Sequence, residues 1–295
     1  MTTESTEEKA LSYLPTTISV AVKKAMALYK GNISELRLRA ERPVFITANN
    51  KNINCGVTAT YNDINSTVRS LCGNSLYSHS ESIKEGYICT DGGIRAGICG
   101  RAVTEGGNII SVTDISSICI RIPHRVAGIA DPVIKRIITY DGGILVFSKP
   151  GVGKTTLLRE IAACLSSPPF CMRIAVVDTR FEICGALSGR YCIDALSGYP
   201  RAKGIETALR TLSPQFIICD EIASQKDAEA IQSCAGAGVP VIASAHAGSR
   251  EELFENEKIA ELVRKNVFKT LVQLERTSDK MNITISESSG SVVLC

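Results

Sequence analysis

The chain has 295 residues, 44% of them hydrophobic and 21% charged, with a formal net charge of +3. That composition belongs to a globular protein rather than a disordered one, and the length suits two domains. Near-balanced charge argues against a nucleic-acid binder that relies on overall charge, and no apolar run reaches the roughly 18 residues of a membrane span. The acidic, polar start MTTESTEEKALSYLP lacks the basic-then-apolar order of a secretory signal, so a cytoplasmic location is expected. The 12 cysteines are scattered without a CxxC pair, and several sit in apolar runs, such as Cys119 in SSICIRI and Cys219 in FIICDE. They read as small buried hydrophobes in a reducing compartment, with no spacing for a disulfide or metal framework.

Residues 1–30 read as helix with a break at Pro15. ISELRLRAERPVFI alternates at Leu36 and Leu38 and reads as a strand broken before Pro43, and residues 62–75 read as a short helix. GYICTDGGIRAGICGRAV reads as a hairpin turning at Asp91-Gly92-Gly93, and SSICIRIP as a further strand. Arg37, Arg39, Arg42, Arg95, Arg101, Arg121 and Arg125 gather in this half, several alternating along strands, which would make one sheet face basic. Aromatic interleaving is absent, so the reading is a solvated face or a subunit contact, with no direct nucleic-acid partner expected.

Pro123, Gly128 and Pro132 punctuate a boundary around residues 123–140. The expected division is a smaller α+β domain over 1–125 and a nucleotide domain over 126–295. Beyond it GGILVFS, RIAVVD, QFIICDE and VPVIASAH are apolar runs of strand length, separated by the helical TTLLREIAACL, GIETALRTL and KDAEAIQSCAGAG. Continuous apolar strands alternating with amphipathic helices predict an α/β fold, a parallel sheet covered on both faces. After Arg250 a helix pair and the closing strands VFKTLVQLER and MNITIS follow.

The segment SKPGVGKTT joins the first of these strands to the first helix. Strand, glycine-rich loop and helix is the context a phosphate loop (Walker A) requires. Its N–H groups converge on a phosphate, the helix start adds its positive dipole end, Lys154 reaches the β and γ phosphates, and Thr155 offers a hydroxyl to Mg²⁺. Ser148, Pro150, Gly151, Val152, Gly153, Lys154, Thr155 and Thr156 form the candidate ATP site; Ser148 stands where the pattern has glycine. FIICDE ends in two carboxylates at the tip of a strand (Walker B): Asp220 would hold Mg²⁺ through water, and Glu221 would polarise the attacking water. VVDTRFEICG places Asp178 and Glu182 beyond another strand, either for metal or catalytic water or as a cap or turn. His246 at a fourth tip is a γ-phosphate sensor or a structural histidine. Arg210, Arg201 and Lys203 are candidates to reach a neighbouring subunit's nucleotide, weighed against exposed charges or internal ion pairs.

ISELRLRAERPVFI, GYICTDGGIRAGICGRAV, SSICIRIPHRVAG, SKPGVGKTTLLREIA, VVDTRFEICG, YPRAKGIETALRTLSPQFIICDEI and VIASAHAGS, in this order, resemble the stage III sporulation protein AA family of endospore-forming bacteria, over residues 30–280. Ser148 fits that family. The family is similar to the ATPases of type II and type IV secretion systems. The resemblance implies a RecA-like P-loop core behind an N-terminal domain, with nucleotide between them, and a homo-oligomer, a hexameric ring. It implies a Mg²⁺-dependent ATPase in the mother cell, peripherally associated with the membrane-embedded channel to the forespore. Lys154 and Thr155 carry over as phosphate-loop residues, Asp220 and Glu221 as metal-binding and catalytic acids, Asp178 and Glu182 as the acidic segment, and Arg210 and His246 by position. Thr179, where the family commonly has an acid, and Ala223, where Gly is usual, depart from it. The alternatives are a nucleotide-gated assembly module with little hydrolysis and a nucleic-acid-stimulated ATPase of RecA or helicase type.

Overall fold

The computed structural model describes residues 6–29, 33–49, 51–90, 94–122, 128–139, 141–179, 181–184, 187, 192–277, 280–288 and 292–294. The chain divides into two compact units, residues 1–124 and 125–295. The expected turn at 91–93, Pro123 and Arg125 lie outside the described residues.

In the first unit Pro15 separates α1 (Thr6–Ser12) from α2 (Thr16–Leu28). The stretch read as one strand is two, β1 (Ile33–Arg39) and β2 (Arg42–Ala48), paired antiparallel. Glu41 turns the chain between them at φ 56. Then come β3 (Lys51–Ala59), α3 (Tyr61–Leu71), α4 (Ser80–Lys84), β4 (Tyr87–Cys89), β5 (Arg95–Glu105) and β6 (Asn108–Arg121). α3 begins with a capping box: Thr60 and Asp63 each bond the other's backbone N–H. The sheet order is β3-β2-β1-β6-β5-β4, antiparallel throughout. Leu36, Leu38, Ile118, Ile120, Ala96 and Ile98 pack with Ile18, Val22, Ile64 and Val68 of the helices in one core. Period-2 alternation therefore puts Arg37, Arg39, Arg95 and Arg121 on the opposite face. Glu35 bonds Arg37 there at 2.8 Å, and the Arg95 guanidinium lies 4.3 Å from the Tyr87 ring centre. Arg101 pairs instead with Asp114 farther out.

The second unit opens with α5 (Asp131–Thr139), whose Val133, Ile134 and Ile137 are buried. This helix occupies half of the stretch read as a boundary. Asp131 ahead of Pro132 is a helix-start signal, because proline at the first turn gives up only an N–H that would be unpaired there. β7 (Gly143–Ser148), α6 (Lys154–Leu165), β8 (Ile174–Asp178), β9 (Ile193–Ser197), α7 (Arg201–Thr211), β10 (Phe216–Glu221), α8 (Gln225–Gly236), β11 (Val241–His246), α9 (Arg250–Glu255), α10 (Glu257–Arg264), β12 (Phe268–Thr277), β13 (Lys280–Glu287) and β14 (Val292–Leu294) follow. The sheet order is β14-β13-β12-β7-β11-β10-β8-β9. From β12 to β9 the strands are parallel; β13 and β14 close one edge antiparallel. Alternate strand residues serve two cores. Leu145, Phe147, Val177 and Ile217 meet α7, α8, α9 and α10, while Ile144, Val146, Val176 and Ile218 meet α5 and α6. The predicted parallel sheet with helices on both faces is present. Among the described residues no helix is long and apolar enough to cross a membrane.

Candidate functional site

β7 is buried along its whole length and runs into the loop at 149–153. Gly151 at φ 76 and Gly153 at φ 128 adopt conformations that residues with a Cβ rarely take. A Cβ on Gly153 would also come within 2.8 Å of Met281. Ser148 needs no such freedom. It is the buried last residue of β7, and its hydroxyl donates to the Lys149 carbonyl at 2.9 Å. Pro150 is exposed, and Val152 packs partly on the α6-side core.

Strand order assembles the rest. β11 lies between β7 and β10, with His246 aligned to Ser148 and Ser244 to Glu221. A cleft of about 300 Å³ at the strand tips is lined by Gly151, Gly153, Lys154, Thr155, Thr156, Glu182, Asp220, Glu221 and His246. The ends of strands in an open parallel sheet are where ligands bind. Lys154 is only 8% exposed. Burial lowers its pKa, against the pull of Glu221 and Asp220 in the opposite direction. Its ammonium lies 2.8 Å from His246 Nδ1 and 3.3 Å from the Ser148 carbonyl. An ammonium only donates, so Nδ1 accepts and Nε2 carries the proton toward Glu221 Oε2, 3.1 Å away. His246 thus bridges the cation and the carboxylate.

Thr155 and Asp220 bring a hydroxyl and a carboxylate to the same cleft. Hard oxygen donors suit Mg²⁺, which takes few protein ligands and completes its shell with water and phosphate. Among the described residues no group of three or more His, Cys, Asp or Glu side chains could hold a metal alone. Helix-start N–H groups, an ammonium, a hydroxyl and three carboxylates can together accept a phosphate chain with its cation and polarise a water beside it.

The two acids after β8 part company. Glu182 lines the cleft, whereas Asp178 is fully buried and accepts the N–H groups of Glu182, Ile183 and Cys184 at 2.9, 2.8 and 2.7 Å. Of its two sequence readings, Asp178 takes the turn-holding one. Thr179 Oγ1 is buried without a hydrogen-bond partner among the described residues. Arg210 lies exposed in the last turn of α7, away from the residues lining its own chain's cleft. Arg201 makes an internal ion pair with Asp227 at 3.2 Å, and Lys203 faces Glu206 at 3.7 Å. Burial pushes the Cys184 and Cys219 thiols up to about 12.

Asp227, a residue that the sequence reading passed over, ties this region down. It completes the capping box of α8 with Ser224 and also accepts the N–H of Ala223, just beyond Glu221. Burial would raise its pKa; the Ser224 and Ala223 bonds and Arg201 outweigh that and hold the carboxyl below its ordinary 3.8. A depressed folded-state pKa contributes stability present above 3.8 and lost as pH falls through the lower folded value. Asp227→Ala strands Arg201 and is expected to cost about 3–5 kcal/mol. Urea midpoints measured from neutral pH downward check this: the variant's deficit should shrink on acidification below 3.8.

The family profile described as "Sporulation stage III, protein AA" matches residues 5–293. Stage III sporulation protein AA of Bacillus subtilis (strain 168) is 32% identical over 272 residues, covering 88% of this chain and 89% of that protein. Protein SEEDLING PLASTID DEVELOPMENT 1 of Arabidopsis thaliana is 32% identical over 182 residues, 58% of this chain and 26% of that protein. Among solved structures, the ATPase DotB of Legionella pneumophila superposes with a TM-score of 0.61 at 16% identity, covering 93% of this chain and 81% of that one. The pilus retraction motor PilT, solved with bound ADP, gives 0.62 at 13% identity, covering 90% and 81%. At such identities the likeness is one of fold, the RecA-like α/β architecture of those ATPases. The chain is therefore a member of the stage III sporulation protein AA family with the fold of the ATPase DotB.

Proposed function

We propose that this protein is a Mg²⁺-dependent ATPase that works as an oligomeric motor, a hexameric ring, and energises the channel between mother cell and forespore during endospore formation. One observation carries the reading: the phosphate-loop residues Gly151, Gly153, Lys154 and Thr155 share a cleft with Asp220 and Glu221. Lys154 and the loop N–H groups hold the β and γ phosphates, and Thr155 and Asp220 would hold the metal. When bound, Mg²⁺ neutralises charge on the phosphates. Glu221, oriented by His246, takes the proton of the attacking water. Arg210, exposed on α7, is available to a neighbouring subunit's site, so that assembly completes the catalytic centre. The partners are other copies of this chain and membrane-embedded channel proteins, with the ATPase at the mother-cell face of the membrane and no nucleic acid required.

The test is phosphate release per subunit from ATP as protein concentration rises, with and without Mg²⁺. A Mg²⁺-dependent rate that climbs steeply and levels off is expected. A rate per subunit that is flat in concentration overturns the oligomeric motor, and absence of Mg²⁺-dependent phosphate release overturns the ATPase.

A further inference from the structure

Glu182 belongs to neither a strand nor an α-helix, yet it lines the cleft. Its main chain is held from both sides by charged groups. Asp178 Oδ1 accepts its N–H, and Arg159 Nη2 donates to its carbonyl. The residue before it, Phe181, has φ 58. A bulky side chain keeps that left-handed conformation only where the surroundings over-determine it. Gly198 supplies part of that setting: a Cβ there would come within 3.2 Å of the Phe181 ring.

Arg159 comes from α6, five residues beyond Lys154 and on the same rigid helix. It is half-buried, burial pulls its pKa down against Asp178 and Glu182, and its Nε has no hydrogen-bond partner among the described residues. Placing a guanidinium there costs stability. An apolar side chain would serve the core at less cost, so packing alone does not account for it.

We propose that Arg159 is a positioning residue that, together with Asp178, fixes the Glu182 main chain and so keeps the Glu182 carboxylate in the cleft, in register with Lys154 and Thr155 at the start of the same helix. The consequence for turnover rests on the ATPase reading; the hold on the main chain concerns this chain alone. Asp178 then acts through three backbone N–H groups, and Glu182 is the acid of that segment facing the phosphates and the attacking water.

Two measurements decide it. Amide hydrogen exchange of Glu182, Ile183 and Cys184 in the nucleotide-free protein reads the hold directly. Arg159→Gln should speed it at least tenfold, and Arg159→Lys, which keeps a donor and the charge, should restore part of the protection. Unchanged exchange in Arg159→Gln overturns the proposal whether or not the protein hydrolyses ATP. The second is a double-mutant cycle on ATP turnover with Arg159→Gln and Glu182→Gln. Loss of a group that orients an active-site ligand lowers activity by on the order of 10- to 100-fold. In the Glu182→Gln background Arg159→Gln should cost little more, because both changes remove one contribution. Independent, multiplying losses overturn the action through Glu182. If Arg159→Gln does not fold, Arg159→Met, which removes the donor and the charge but keeps an unbranched stem, carries both arms: exchange and turnover shifted together support the proposal, and wild-type values in either overturn it. If the wild type releases no phosphate, the ATPase reading falls and the exchange arm alone decides the hold on Glu182.

Discussion

Glu221→Gln is expected to leave ATP binding intact and to slow hydrolysis by on the order of 10²–10⁴, the usual contribution of a positioned general base. The geometry makes this replacement selective. The amide oxygen still accepts from His246 Nε2, so the link from Glu221 through His246 to Lys154 survives. What is lost is the carboxylate that takes a proton. Single-turnover phosphate release measures the chemical step, and the ATP-dependent rise in melting temperature measures binding through mass action. A variant that binds and hydrolyses like the wild type would remove Glu221 from catalysis and leave a nucleotide-gated assembly module as the better account. If DNA or RNA at low salt strongly stimulated the wild type, a nucleic-acid-dependent ATPase would take its place.

The phosphate loop and the Asp220-Glu221 tip are legible in the sequence because each is local: a run of apolar residues, then glycines or acids within a few positions. Their convergence is not local. It depends on β11 being inserted between β7 and β10, and no short stretch encodes strand order. The two strands in ISELRLRAERPVFI merge in the sequence because a residue without special backbone freedom, Glu41, makes the turn at φ 56. β9 escapes notice because Ile193–Ser197 is an edge strand with its middle residues exposed, so the continuous apolar signal of the interior strands is absent. Asp178 and Glu182 look equivalent on paper. Only the buried N–H groups that close on Asp178 separate a turn-holding acid from a cleft-facing one. Arg201 likewise stays open between a reach to a neighbouring subunit and an internal ion pair until Asp227, 26 residues away, is seen against it.

Lys154→Met should separate function from stability most sharply. Folding lowers the Lys154 pKa below 10.5, chiefly through burial. The charged ammonium therefore opposes folding at neutral pH, and the penalty fades as pH rises from the folded value toward 10.5. Its hydrogen-bond partners lose little with it: the Ser148 carbonyl keeps the Ala247 N–H at 3.3 Å, and the His246 side chain is 41% exposed and can turn to water. The variant should melt no lower than the wild type in the absence of nucleotide, and any advantage it has should shrink above neutral pH. Its affinity for MgATP should nonetheless fall roughly 10- to 100-fold, the worth of a charge-assisted hydrogen bond of about 1.5–3 kcal/mol. Turnover should fall further, by on the order of 10²–10³, since the ammonium also meets charge that develops on the transferring phosphoryl group. A residue kept at a cost to the fold and indispensable to the ligand is the mark of a site shaped by binding. If Lys154→Met instead unfolds the protein while MgATP still protects what remains, Lys154 is a structural cation and the phosphate chain lies elsewhere.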